Sequence, residues 1–424
     1  MNRLIAIALV AACGSASKPA PAPVPPHDAA MLAPVAEAPV VVADAKPTPA
    51  PVPPPPPVAA GADFTQQAKW LYHVAGCGEG PLPDELSKDP KYQTIIDKHC
   101  KALAPHVAKF REAYFVKGKK WLDEHVPATV PTTVVYPFGG GDLLSALAAF
   151  PNAKEITTIS LEMAGDPRRL PTLKPAQLET DLATFRQEIS WLIQLGSNTS
   201  VNLSAQQRNS LPGQTSSFLM ALYVGGYEPV AMKYFTLDDA GAIHYVDQAA
   251  IDADTKSTKS LSGSWSNPNF AESFRNVELQ YRKIGDTAVR VHRHIAWNLD
   301  NEHVTKQPGL LKWLEAKGKV TIIVKGASYL LYNDSFKLVR DYILTHLAFM
   351  LSDSTGVPPM YAQPAGMVQE AWGKYVKPGL KFAVGSKQDL DMRTLWKKPA
   401  GPAPFRFGYI DSANNAHLLI TKPK

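Results

Sequence analysis

Thr132-Thr133-Val134-Val135-Tyr136-Pro137-Phe138-Gly139-Gly140-Gly141-Asp142 is a β-branched and aromatic run that stops in three glycines and an aspartate. Val, Thr and Tyr fit a pleated, half-buried surface, so residues 132 to 138 read as a strand. Leu143 to Phe150 then reads as a helix. Ile156 to Leu161 is a second strand-like run, with Glu162 at its end. Strand, glycine turn, helix and strand make a βαβ unit, which predicts a parallel pair joined by a right-handed crossover.

Downstream, a helix is expected around Ala176 to Leu195 and another near Ser216 to Tyr223. The texture then changes. Pro229 to Thr236 and Ile243 to Val246 flank Asp238-Asp239-Ala240-Gly241, and Val277 to Ile284 and Thr287 to Trp297 flank Gly285-Asp286. Both pairs read as antiparallel hairpins. Val320 to Val324 is a compact apolar run suited to a buried strand, and Ser335 to Leu351 reads as one long amphipathic helix. Short strands are expected near Phe405 to Ile410 and His417 to Thr421. The fold class is therefore mixed α/β: a partly parallel sheet with antiparallel hairpins and a helical N-terminal region.

That helical region spans 61–127, ahead of a mixed α/β part at 128–424 in a single globular domain. Phe64, Ala68, Leu71 and Ala75 recur at helical spacing up to Gly76. Tyr92, Ile96, His99 and Leu103 mark a second helix, and Val107, Phe110, Tyr114, Trp121 and Leu122 a third. Cys77 and Cys100 fall here. In an oxidising compartment an isolated pair is most simply a disulfide, with a Cys/His metal site using His73, Cys77, His99 and Cys100 as the alternative.

The first 60 residues differ. They hold 15 of the 38 prolines. Met1-Asn2-Arg3 supplies one positive charge, and Leu4 to Ala12 is an unbroken small or apolar run, too short to span a bilayer. Val10-Ala11-Ala12-Cys13 resembles the bacterial lipobox: an aliphatic residue, two small residues and the cysteine to be lipidated. The resemblance implies a signal peptide at 1–12, lipidation of Cys13 and a membrane anchor. With Gly14 rather than Asp after the cysteine, it also favours the outer membrane, with the domain in the periplasm or at the cell surface. Residues 13–60 read as a tether that samples polyproline II and reaches on the order of 140 Å when extended. The net charge of +6, from 44 Lys and Arg against 38 Asp and Glu, is small and scattered, which argues against nucleic acid as a partner. The membrane is the expected partner, through the lipid, with the cell wall or another envelope protein beyond it.

Candidate chemistry centres on the Gly139-Gly140-Gly141-Asp142 turn. A glycine-rich strand-to-helix turn lets a ligand approach the backbone, and strand C-termini in α/β sheets are where ligands sit. The plainer reading is a tight turn with Asp142 capping a helix. A nucleotide methyl donor or dinucleotide would use a related layout, but the pattern is not GxGxxG, there is no P-loop lysine, and no cofactor is assigned. Glu162 ends the next strand. Lys325-Gly326 follows Val320 to Val324, so Asp142, Glu162 and Lys325 are the candidate catalytic residues if they meet at one sheet edge; a buried salt bridge is the alternative. Gly139, Gly140, Gly141 and Asp353 are the candidate ligand-binding residues, Asp353 because Asp353-Ser354-Thr355-Gly356 follows the long helix. Arg290, His292 and His294 alternate along a strand, as a polar solvent face or, with His303, as metal ligands; no metal is assigned.

Tyr136 to Asp142 with Phe150-Pro151, and Lys325 to Leu330 with Ser352 to Pro358, resemble segments of a family of uncharacterised bacterial proteins, over about residues 70 to 424. That resemblance implies no activity. The expectation is a lipid-anchored envelope protein that binds or scaffolds. The alternative is an extracytoplasmic hydrolase or transferase with its site near the Gly139–Asp142 turn.

Overall fold

β1 (Thr133–Pro137) and β2 (Glu155–Ser160) pair in parallel, Val134 opposite Ile156 and Pro137 opposite Ile159, with the Leu143–Ala149 helix between them. This is the βαβ unit that the glycine turn predicts. The computed structural model describes residues 61–195, 211–254, 272–409 and 417–424. Cys13, the signal peptide and the tether lie outside the described residues, which belong to one compact unit, Pro57–Lys424. Among the described residues no helix is long and apolar enough to cross a membrane.

The other strands are β3 (Tyr227–Leu237), β4 (Ile243–Tyr245), β5 (Asn276–Lys283), β6 (Val289–Ala296), β7 (Val320–Val324), β8 (Leu347–Ser352), β9 (Met367–Gly373) and β10 (His417–Pro423). They form one ten-stranded sheet in the order β4-β3-β5-β6-β2-β1-β7-β8-β10-β9. β6, β2, β1, β7 and β8 are mutually parallel. Antiparallel pairs flank them: the two predicted hairpins on one side, β10 with β8 and β9 on the other.

The parallel core is buried on both faces, as such sheets must be. β1 sends Val134 and Tyr136 into a cluster with Leu144, Leu182 and Phe218, and Val135 into a second with Leu310, Leu314 and Ile343. The first cluster is built by helices from the N-terminal region and from Leu143–Ala149, Pro175–Leu195 and Gly213–Gly225; the second by Gly309–Glu315 and Lys337–His346.

The structure corrects several boundaries. The second and third N-terminal helices run on as one, Pro90–Phe110, a π-helical stretch Arg111–Gly118 and Lys119–His125, even with Pro105 inside. The long helix over Ser335 to Leu351 ends at His346, because Leu347-Ala348-Phe349-Met350-Leu351 is apolar all round and pairs with β7 as β8. A helix there would leave no polar side for water. Phe405 to Tyr409 is irregular rather than a strand. β9 has mostly half-exposed residues and gives no clear period in the sequence.

Candidate functional site

The parallel strands run β6-β2-β1-β7-β8, so the chain steps outward one way from β1 to β2 and the other way from β7 to β8. The reversal falls between β1 and β7. In doubly wound sheets the crevice outside the strand C-termini at such a reversal is where ligands bind. Three loops meet there: Phe138–Asp142 after β1, Lys325–Tyr329 after β7 and Asp353–Gly356 after β8.

Lys325 and Asp142 are brought together. Lys325 Nζ lies 2.7 Å from Asp142 Oδ2 and 2.6 Å from Ser145 Oγ. Tyr136 Oη donates to the same carboxylate oxygen at 3.0 Å, and the other oxygen accepts Ser145 N–H at 3.0 Å, which caps the helix. The Lys325 and Asp142 side chains are only 2% and 6% exposed, and Phe407 packs its ring 5.8 Å from the ammonium. Burial, then the Asp142 charge, pushes the Tyr136 phenol well above its ordinary range. The capping and salt-bridge readings therefore both hold, within one closed cluster.

Asp353 is buried in the neighbouring loop and is satisfied differently. Its carboxylate accepts from the amides of Gly326 (2.9 Å), Thr355 (2.8 Å) and Tyr409 (3.2 Å) and from the Thr355 hydroxyl. Gly408 is required beside it: a Cβ there would lie 2.0 Å from Asp353 Oδ2. Asp353 therefore ties the β7, β8 and Phe405–Tyr409 loops together, and it follows a strand rather than a helix. Three of the four described non-glycine residues with positive φ, Phe138, Ser328 and Tyr329, also lie in these loops, so the backbone is held in costly conformations at this edge.

Glu162 lies two residues beyond β2 at the same edge but makes no hydrogen bond to Asp142 or Lys325. It is buried, its carboxyl is pushed up by that burial, and it has no cation partner among the described residues. His294 Nε2 meets its backbone oxygen at 2.7 Å. The predicted triad is thus a pair with a separate third carboxyl.

His292 and His294 are wholly buried, which overturns the solvent-face reading of that strand. Thr158 Oγ1 lies 3.0 Å from both rings, and burial pushes His294 down to about 4 and His292 well below its usual value. His303 is elsewhere, held by Asp300. Cys77 and Cys100 are disulfide-bonded, Cα atoms 5.5 Å apart. His99, the third member of the one Cys/His/acidic group close enough to hold a metal among the described residues, has both nitrogens engaged, by Ala75 O and Arg186, each at 3.0 Å.

Sequence reasoning missed Ser145 and Gln214. A lone serine at the third position of an apolar helix was the available signal for the first. Gln214 begins a polar run, Gln214-Thr215-Ser216-Ser217, that is wholly buried against the sheet, and nothing local in the sequence announces that. Cavities of about 170 Å³, beside Leu122 and Phe150, and about 540 Å³, beside Arg275 and Trp297, contain none of the predicted site residues. Compared with protein-family models, curated proteins and solved structures, the chain matches none.

Proposed function

We propose that the chain is a lipid-anchored envelope protein whose domain binds a small ligand at the β1/β7 edge. One observation carries the binding reading: the sheet reverses between the strands that deliver the Gly139–Asp142 turn and Lys325, and the two loops are locked together there by the 2.7 Å ion pair. A glycine turn at a topological switch point, with an acidic side chain at the end of the next strand, is the layout of small-molecule sites in doubly wound sheets. The lipobox at Val10–Cys13 supports the anchor.

Ser145 Oγ, 2.6 Å from Lys325 Nζ, favours a second reading, a hydrolase or transferase with a serine nucleophile. The hydrogen bonding weighs against it. A lysine ammonium that donates to both Asp142 and Ser145 offers no lone pair to take the serine proton, so binding is the better account.

The test screens the full chain for thermal stabilisation by metabolites and cell-wall fragments, with Gly141→Ala as control. A ligand of the native state raises stability by mass action. Compounds that stabilise the wild type but not the variant are expected; a panel with none overturns the binding reading. Separately, Cys13→Ser should move the protein from the membrane to the soluble fraction, and continued membrane association would remove the anchor.

A further inference from the structure

Gln214 lies in the first turn of the 13-residue Gly213–Gly225 helix and is fully buried. Neither its Nε2 nor its Oε1 has a hydrogen-bond partner among the described residues, and nor has Ser216 Oγ two residues on. An unpaired buried amide is costly, and native structures keep few of them. The amide abuts the glycine turn: a Cβ on Gly141 would sit 3.0 Å from Gln214 Oε1. Within the turn, the Gly139 and Asp142 amides make the local hydrogen bonds, leaving those of Gly140 and Gly141 outside them. Thr215 also ties this helix end to Ala164, two residues beyond Glu162, through its amide (3.2 Å) and hydroxyl (2.9 Å).

We infer that Gln214, the Gly140–Gly141 amides and the first turn of the Gly213–Gly225 helix form an oxyanion subsite that receives a carboxylate or phosphate group of the ligand. This rests on the binding reading above and adds the chemical class. The donors there are backbone and side-chain amide N–H groups and the Ser216 hydroxyl, and a helix N-terminus carries partial positive charge. The Gln214 amide, which turns its Oε1 toward Gly141, presents Nε2 to an anion by rotating about its last side-chain bond. The adjacent fixed anion, Asp142, is already neutralised by Lys325. Pro212 precedes the helix and supplies no side-chain cap, so no protein carboxylate already holds that helix end.

The experiment compares thermal unfolding of the full chain as wild type, Gln214→Met and Gly141→Ala. Sodium phosphate and sodium acetate are titrated at matched ionic strength, with adenosine as a neutral probe. General salt effects act on all three proteins alike, so the readout is the wild-type excess. The expected excess is at least about 2 °C with phosphate or acetate, lost in both variants, and the stronger of the two salts identifies phosphate or carboxylate. Gln214→Met should unfold no lower than wild type in plain buffer. Equal increments in all three proteins with either salt overturn the subsite. A wild-type excess with adenosine alone overturns the oxyanion assignment and leaves the binding reading standing. No excess with any probe overturns the subsite, while the metabolite and cell-wall panel decides the binding reading separately.

Discussion

Two charge clusters stand on this sheet, one half-buried and one buried, and they are finished to different degrees. On β2, β5 and β6, Arg293 reaches Glu155 at 2.7 Å and Glu278 at 2.8 Å, and Lys317 reaches Glu155 at 2.5 Å. Tyr245 donates to Glu278 at 2.8 Å, and the Lys317 ammonium lies 3.7 Å from the Trp313 ring. Each charge there has a partner, and the start of β2 is stitched to β5 and β6. At the β1/β7 edge Lys325 and Asp142 are just as well paired, but around them, among the described residues, the Gln214 and Ser216 side chains have no hydrogen-bond partner and Glu162 has no cation. A closed network needs nothing more than the protein. Under the binding reading, the unmatched donors on these loops are the groups a ligand would satisfy. That contrast in charge pairing is what the reading rests on, since Thr157 Oγ1, Tyr281 Oη and His292 Nδ1 on β2, β5 and β6 are also unpaired among the described residues.

Breaking each pair is the largest test. Lys325→Met leaves the Asp142 carboxylate buried and uncompensated, which should cost about 3–5 kcal/mol of stability in denaturant unfolding. Adding Asp142→Asn should recover much of that loss. Arg293→Met should cost a comparable amount, because Lys317 still neutralises Glu155 but the Glu278 carboxylate, 4% exposed, loses its cation, and it should leave ligand stabilisation untouched. If Arg293→Met abolished ligand binding, the division between network and site would fail.

The disulfide comes next. Cys77 and Cys100 are 23 residues apart, so replacing both with serine should remove about 3 kcal/mol by freeing the unfolded chain. No change in midpoint under non-reducing conditions would mean that the bond does not form in solution.

The buried histidines set the acid limb. His99 and His294 are pushed down to about 4, both chiefly by burial, so they stay neutral in the fold while the unfolded chain protonates near 6.5. Unfolded protein then binds more protons. Stability is fully present above pH 6.5 and falls between about 6.5 and 4, by up to about 1.4 kcal/mol per pH unit for each histidine. Glu162, shifted upward by burial, works in the opposite sense as pH rises from its unfolded value. A flat midpoint between pH 6.5 and 4 would contradict the buried, neutral assignment. The smallest effect is Gln214→Met, which should raise stability without ligand by about 1 kcal/mol; a loss instead would mean that a buried water already satisfies the amide.

The βαβ unit, both hairpins and the Val320–Val324 strand were legible because each is set by local patterning: β-branched runs, glycine turns and the Asp238–Gly241 and Gly285-Asp286 turn residues. The β8 strand was not, because an apolar run directly after an amphipathic helix reads as its continuation until the β7 partner is known. The site was half legible. Asp142 and Lys325 lie 183 residues apart, yet each stands where a strand ends in glycine, and that common position is the local sign of a shared edge. Gln214 carries no such sign. What singles it out is a side chain without a hydrogen-bond partner among the described residues, and that is visible only in three dimensions. His292 and His294 misled for a related reason: alternation names one face of a strand, but only the Gly213–Gly225 helix packed over it decides whether that face is wet.

Hydrogen exchange of the full chain with and without the more strongly stabilising of phosphate and acetate tests the contrast most directly. The account predicts added protection confined to the amides of 139–142 and the first turn of the Gly213–Gly225 helix, with 276–283 and 289–296 unchanged. Protection spread evenly over both clusters, or none at the glycine turn, would contradict it.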